Sequence, residues 1–250
     1  MAQLEAVLGD EGPQAFGWFR RGTEVALSVA LVRRGFGAGV GTGFVVRGGD
    51  LAPSLGEELL LLTNAHVVSD DPADGGLEPG EARVCFEAAT DRGAPREIAG
   101  IVWRSPRARL DASLLRLAPP PPGDKAAPLP LAPSLPLLGK RRRVYVIGHP
   151  NGGELAISMQ DNELLDHEGP PKGTPPDPDC CRVHYRAPTE PGSSGSPVFN
   201  SSGWQVIALH HKGGKEMPQL NGREGLYEAN EGIWIRSIAA AAKKQLDGQG

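Results

Sequence analysis

Thr189-Glu190-Pro191-Gly192-Ser193-Ser194-Gly195-Ser196-Pro197-Val198-Phe199 sets the terms for reading the rest of this chain. Two serines sit between two glycines, and an apolar, strand-like segment follows. Glycine reaches backbone angles that other residues adopt only under strain. A tight turn of this kind presents a hydroxyl and aims neighbouring N–H groups at one point. Acyl transfer needs both: a nucleophile, and donors where the tetrahedral oxyanion forms. Taken alone, the stretch reads more readily as an ordinary Gly/Ser surface turn, because Ser and Gly dominate turns.

Two further stretches bear on that choice. Leu61-Leu62-Thr63-Asn64-Ala65-His66-Val67-Val68 places a histidine just after an apolar run, and Leu110-Asp111-Ala112-Ser113-Leu114-Leu115-Arg116-Leu117 places an acid at the head of one. The order is His66, Asp111, Ser194, with spacings of 45 (111 minus 66) and 83 (194 minus 111). Of the three chain orders in which this triad occurs, His…Asp…Ser is that of the chymotrypsin-like double barrel. T-N-A-H-V, L-D-A-S-L-L and G-S-S-G-S-P resemble the three signature motifs of the trypsin-like serine peptidases. They are most similar to those of the bacterial V8-like glutamyl endopeptidases and the HtrA-type peptidases. Ser194 to Asn200, S-G-S-P-V-F-N, resembles the glutamyl endopeptidases in particular. The resemblance runs from about Val25 to the C-terminus.

Strand-sized runs separated by Gly, Pro and Asp flank these motifs. Six of them, at 24–32, 39–46, 59–63, 82–87, 98–104 and 112–117, predict a closed β-barrel. A second series lies at 143–148, 154–160, 182–186, 197–199, 204–210 and 232–236. The expected fold is all-β: two six-stranded antiparallel β-barrels, chymotrypsin-like, with a C-terminal helix. The expected divisions are an N-terminal arm or helix at 1–22, a first barrel at 23–117, a proline-rich connector at 118–136, a second barrel at 137–236 and the helix at 237–250. Leu4, Val7 and Leu8 fall at helical spacing in the arm, and Phe16, Trp18 and Phe19 add an apolar cluster; packing on the barrel is the favoured reading, a lid or partner contact the functional alternative. Ser237 is the expected N-cap of the last helix. The connector's proline density predicts a stiff, extended segment.

The resemblance implies a serine endopeptidase acting on protein or peptide substrates. In it Ser194 is the nucleophile, His66 the base and Asp111 the residue that orients the base. The backbone N–H groups of Gly192 and Ser194 form the oxyanion hole. Gly41-Thr42-Gly43-Phe44 resembles the segment preceding the family's histidine motif, and Val146-Ile147-Gly148-His149-Pro150 resembles a turn of the HtrA-like second barrel, where His149 is structural. Pro188 stands where trypsins carry an acid, so cleavage after Arg or Lys by that route has no support. Thr189 and His210 stand where the glutamyl endopeptidases hold the substrate glutamate, which implies an acidic residue before the scissile bond. Glu190 opposes that preference, and a small apolar pocket is the alternative. His211-Lys212 replaces one tryptophan of that family.

Composition sets bounds. A formal charge of −4 argues against a nucleic-acid partner, and Lys140-Arg141-Arg142-Arg143 reads as a solvated run leading into a strand. No membrane span and no signal peptide are expected. Three cysteines, Cys85, Cys180 and Cys181, argue against a disulfide framework and for the cytoplasm. His149, His167 and His184 show no zinc spacing and Gly152-Gly153 no nucleotide motif, so neither metal nor cofactor is expected. An unexported peptidase calls for restraint, which suggests a regulatory or activating protein partner, or a role for residues 1–22. The competing function is an inactive peptidase-like module that binds peptides or a partner.

Overall fold

The computed structural model describes residues 14–89, 94–123, 125–139, 142–169 and 181–248. Leu4, Val7, Leu8, Cys180, Lys140, Arg141 and the proline-rich 170–178 lie outside the described residues.

The first unit is a closed antiparallel barrel of six strands. These are β1 (Val29–Arg34), β2 (Gly39–Arg47), β3 (Leu59–Thr63), β4 (Ala82–Cys85), β5 (Arg96–Ser105) and β6 (Ala112–Ala118), in the order β1-β2-β3-β6-β5-β4. The unbroken leucine run of β3 is explained by burial on both faces. Leu61 points into the barrel with Ala30, Val45 and Leu115, whereas Leu60 and Leu62 join the larger core shared with the second unit.

The second unit is a seven-stranded sheet. It contains β7 (Val144–Gly148), β8 (Ala156–Ile157), β9 (Glu163–His167), β10 (Arg182–Arg186), β11 (Pro197–Asn200), β12 (Val206–Pro218) and β13 (Leu226–Trp234), in the order β8-β7-β11-β12-β13-β10-β9. Sequence reading expected one strand at 154–160. The chain instead breaks after β8, where Asp161 takes a left-handed φ of 51°, and resumes as β9. The two sheet edges are therefore consecutive pieces of chain. Leu164 N–H donates to Arg142 O at 2.6 Å, and the Asn162 amide donates to Val144 O and Ser158 O, which draws the edges together.

Helix α1 (Phe16–Ala26) precedes the first barrel in sequence but docks on the second unit. Trp18 packs on Tyr145 and Trp204, with ring centroids 5.0 and 4.7 Å away. Its indole donates to Ser201 O, and the Trp204 indole donates back to Trp18 O. Gly22 is required there, because a Cβ would lie 2.6 Å from the Trp204 ring. The connector is not a free spacer. Leu129 N–H donates to Val45 O of the first barrel, and Pro130 O accepts from Val206 N–H of the second, so this segment stitches the two units. Helix α2 (Ile235–Leu246) starts two residues earlier than expected. Ser237 is buried inside its first turn and does not cap it; the N-cap position is Trp234, whose side chain makes no capping bond. Cys85 and Cys181 are buried. Among the described residues no helix is long and apolar enough to cross a membrane.

Candidate active site

The cleft between the units is lined by His66 and Ser194 together with residues of β12 and β13. His66 stands in the turn that ends β3, where Val67 and Val68 N–H both donate to Asn64 O. The Asn64 amide in turn donates to Asp111 O at 2.8 Å, which ties this turn to the start of β6. Asp111 takes a left-handed φ of 46°, a conformation Asp tolerates better than bulky residues do. That bend turns its fully buried carboxylate toward His66. Oδ1 accepts from His66 N–H at 3.0 Å and Oδ2 from His66 Nδ1 at 2.6 Å. A carboxylate only accepts, so Nδ1 carries the proton and Nε2 of the neutral ring is left as an acceptor.

Burial alone would raise the Asp111 pKa. Hydrogen bonds from His211 and then His66, with the His66 charge, outweigh it and hold the carboxyl well below the ordinary carboxylate range. Sequence reading places His211 only where the glutamyl endopeptidases have a tryptophan, not as a site residue. Its Nδ1 lies 3.1 Å from the same Asp111 Oδ2, and its Nε2 lies 2.7 Å from Glu231 Oε1. Glu231 also accepts from Lys212 at 2.9 Å and from His184 Nε2 at 2.7 Å, and His184 Nδ1 meets the Tyr227 hydroxyl at 2.7 Å. Burial pushes the Glu231 pKa up, but donors from His184, His211 and Lys212 hold it well below the usual range. A β-bulge makes this network: His210 pairs with Gly232 and Lys212 with Glu231, leaving His211 as the extra residue between them. The adjacent histidines were the sequence signal, but a bulge is a property of the pairing.

The serine turn is built by two left-handed glycines, Gly192 (φ 95°) and Gly195 (φ 87°). A Cβ on Gly195 would fall 1.9 Å from Thr42 O, so no other residue fits. The turn is pinned on both sides. Gly195 N–H donates to His210 O, and Thr42 N–H of the first barrel donates to Ser194 O at 2.8 Å. The Thr42 hydroxyl donates to Gly192 O and accepts from His149 N–H. Pro191 O accepts from Asn151 N–H. In a planar trans peptide this points the Gly192 N–H the opposite way. The N–H groups of Gly192 and Ser194 and the Ser194 hydroxyl have no hydrogen-bond partner among the described residues. No hydrogen bond joins Ser194 to His66.

The two expected pocket residues are differently disposed. His210 is buried, and its Nδ1 lies 2.5 Å from the Tyr185 hydroxyl. Burial first, then the charges of His211 and His66, push its pKa down to about 3, while burial raises Tyr185 well above its ordinary value. The tyrosine proton has Nδ1 as its acceptor, so the His210 Nε2 carries the other proton, on a ring that lines the cleft. The Thr189 hydroxyl donates to Asn230 Oδ1 at 2.9 Å, and the Asn230 amide donates to Ala187 O at 2.7 Å. Thr189 thus spends its proton on Asn230. Glu190 accepts from the Asn151 amide at 2.6 Å. His149 is buried beneath the serine turn, and burial pushes its pKa down to about 4. Among the described residues no group of three or more His, Cys, Asp or Glu is placed to hold a metal ion.

Two antiparallel units facing each other across a cleft that presents a histidine, a buried aspartate and a serine in that chain order mark the trypsin-like class of peptidase fold. Residues 41–209 match the family described as trypsin-like peptidase domain, and the chain belongs to this family. Among solved structures it is similar to Rv3671c from M. tuberculosis H37Rv, a serine-to-alanine mutant in the inactive form. Identity is 22%, the TM-score is 0.57, and 92% of each chain is covered. The Rv3671c protease in its inactive form gives the same identity and TM-score, over 90% of this chain and 91% of that one. Among curated proteins, 80 residues are 32% identical to the uncharacterized protein y4fB of Sinorhizobium fredii. That match covers 32% of this chain and 11% of the length of that relative.

Proposed function

We propose that the protein is a serine endopeptidase with Ser194 as nucleophile, His66 as base and Asp111 as the residue that orients it. The observation that carries this reading is the His66–Asp111 pair. A buried carboxylate fixes the proton on Nδ1, which leaves Nε2 as the acceptor on a ring facing the same cleft as Ser194. As a peptide carbonyl enters, Ser194 Oγ bonds to its carbon and gives its proton to His66 Nε2. The carbonyl electrons move onto oxygen, where the free N–H groups of Gly192 and Ser194 receive them. Each such donor is worth about 3 kcal/mol of transition-state stabilisation. The C–N bond then breaks as His66 returns the proton to the leaving amine. Water, deprotonated by the same ring, hydrolyses the acyl-enzyme. The absence of a serine–histidine hydrogen bond does not count against the pair, since such bonds commonly tighten only when substrate binds. The serine turn is already formed; restraint or activation by a partner, or through residues 1–22, stays part of this reading, and a changed labelling rate on deleting residues 1–22 tests it.

The finer reading is a preference for an acidic residue before the scissile bond. Its support is the protonated Nε2 of His210 on the cleft wall, with Lys212 and Lys215 lining the same cleft. Glu190 lines the cleft too and accepts from the Asn151 amide, so its charge still opposes such a side chain. Wild type and Ser194→Ala are incubated with a fluorophosphonate probe, then with a peptide library read by mass spectrometry. Labelling confined to wild type, with cleavage after Glu, is expected. Cleavage after other residues would retire the acidic preference. Failure of wild type to label would retire the enzyme reading and favour a peptide-binding module.

A further inference from the structure

His211 has a carboxylate oxygen at each ring nitrogen, Asp111 Oδ2 at 3.1 Å and Glu231 Oε1 at 2.7 Å. Both carboxylates are buried and ionised, so neither can donate. A neutral imidazole has one N–H and could satisfy only one of them. Both bonds together require the imidazolium.

We propose that His211 is a positioning residue: a cationic imidazole clamped between Asp111 and Glu231 that fixes the Asp111 carboxylate and offsets its charge, so that His66 stays available as a base at lower pH than it would beside an unshared carboxylate. The proposal rests on the reading of His66 as the base. The charged and titratable groups around His211 can be named. Asp111 at the start of β6 and His66 after β3 lie on one side. Glu231 on β13 lies on the other, with His184 of β10 and Tyr227 of β13 behind it. Its chain neighbours are His210, neutral and bonded to Tyr185, and Lys212, paired with Glu231. Within this set Glu231 has three donors and Asp111 has the two imidazoles. His211 is the cation the two acids share.

The sign follows. Asp111 stabilises the imidazolium of His66, and a cation on the same carboxylate oxygen weakens that effect. Removing the His211 charge makes His66 hold its proton to higher pH, and the acidic limb of the rate profile moves up. The clamp also places base support and the pocket histidine on one strand, β12, at adjacent positions.

The test has two arms. The first uses the full chain with Ser194→Ala, so it needs no activity. Nitrogen NMR of the histidine rings is expected to show both His211 nitrogens protonated at neutral pH. In the His211→Gln variant the His66 ring signals should titrate about one pH unit higher than in the parent. The second measures kcat/KM against pH on the Ser194 background. His211→Gln should shift the acidic limb up by about one unit, and His211→Lys, which restores a cation, should return it toward wild type. A neutral His211 in the spectra, or limbs that coincide in wild type and His211→Gln, overturns the proposal. Fluorophosphonate labelling of wild type decides the peptidase reading separately, so a protonated His211 in a chain that never labels would sink that reading and not the clamp.

Discussion

Thr42 holds Ser194 across the interface between the two units: its amide donates to the Ser194 carbonyl at 2.8 Å, while its hydroxyl donates to Gly192 O at 3.0 Å. The nucleophile proposed on the second unit is thus aligned by a strand of the first. In Thr42→Val the amide bond survives and the shape is kept, but the hydroxyl is lost. The Gly192 carbonyl then loses a donor and the buried His149 N–H loses its acceptor. We expect a stability loss of about 1–3 kcal/mol, seen as a lower melting temperature, and fluorophosphonate labelling slowed by about tenfold or more as the turn loosens. Wild-type labelling with a lowered melting temperature would show that the hydroxyl serves folding alone.

Asp111→Asn tests the orientation of the base. Asparagine also tolerates the left-handed backbone of this position, so the bend should survive. Its amide offers one acceptor oxygen to three donors, the His66 N–H, His66 Nδ1 and His211 Nδ1, and its own N–H₂ opposes one of them. The tautomer of His66 is no longer specified. The expected loss in kcat is about ten-thousand-fold, with far-UV circular dichroism unchanged. A loss below about tenfold would show that Asp111 does not orient the base.

Tyr185→Phe separates specificity from chemistry. The hydroxyl fixes the proton on His210 Nε2, and without it the ring is free to exchange tautomers. Discrimination of a Glu peptide from its Gln counterpart should fall about tenfold, whereas labelling by a small fluorophosphonate should stay within about twofold of wild type. Unchanged Glu/Gln discrimination would remove His210 from substrate recognition.

How far sequence reached depends on the range of the forces involved. Local signals, the runs of Leu, Val and Ile between Gly and Pro, predict strands where barrels later form, because burial and turn chemistry act within a few residues. His66, Asp111 and Ser194 stood out for their motifs and order. Three features could not be read that way. The break at Asp161 sends the chain from one edge strand of the second sheet, β8, to the other, β9, which depends on the order of the whole sheet. The proline-rich connector reads as a spacer, yet its carbonyls and amides are bonded to Val45 and Val206, partners far away in sequence. The position of His211 follows from a bulge, and the sequence shows only two adjacent histidines. Ser237 failed as a cap for a related reason. Packing of Ile235 and Ile238 against the second unit starts the helix before the serine is reached.

The last prediction concerns stability against pH. His149 and His210 are buried and neutral, with folded pKa values pushed down to about 4 and about 3 from 6.5. Between about pH 4 and 6.5 the unfolded chain binds these two protons and the folded chain does not. Stability therefore falls on acidification through that window, by about 1.4 kcal/mol per pH unit for each histidine, or about 2.7 for both. Below about pH 4.5 the depressed carboxyls of Glu231 and Asp111 add to the loss. His211 has the opposite sign. Its pKa is raised above 6.5: burial opposes this, and the bonds to Asp111 and Glu231 outweigh burial. Its contribution is complete below pH 6.5 and is lost as pH rises through the folded value. The two slopes meet near pH 6.5, where melting temperature should peak. Thermal unfolding of the Ser194→Ala chain at pH 4.5, 6.5 and 8.5 checks this, and His149→Gln should remove about half of the acid-side slope while His211→Gln flattens the alkaline side. A melting temperature that stays level from pH 4.5 to 6.5 would mean that the buried histidines are protonated in the fold, and the neutral His210 tautomer on which the substrate preference rests would go with it.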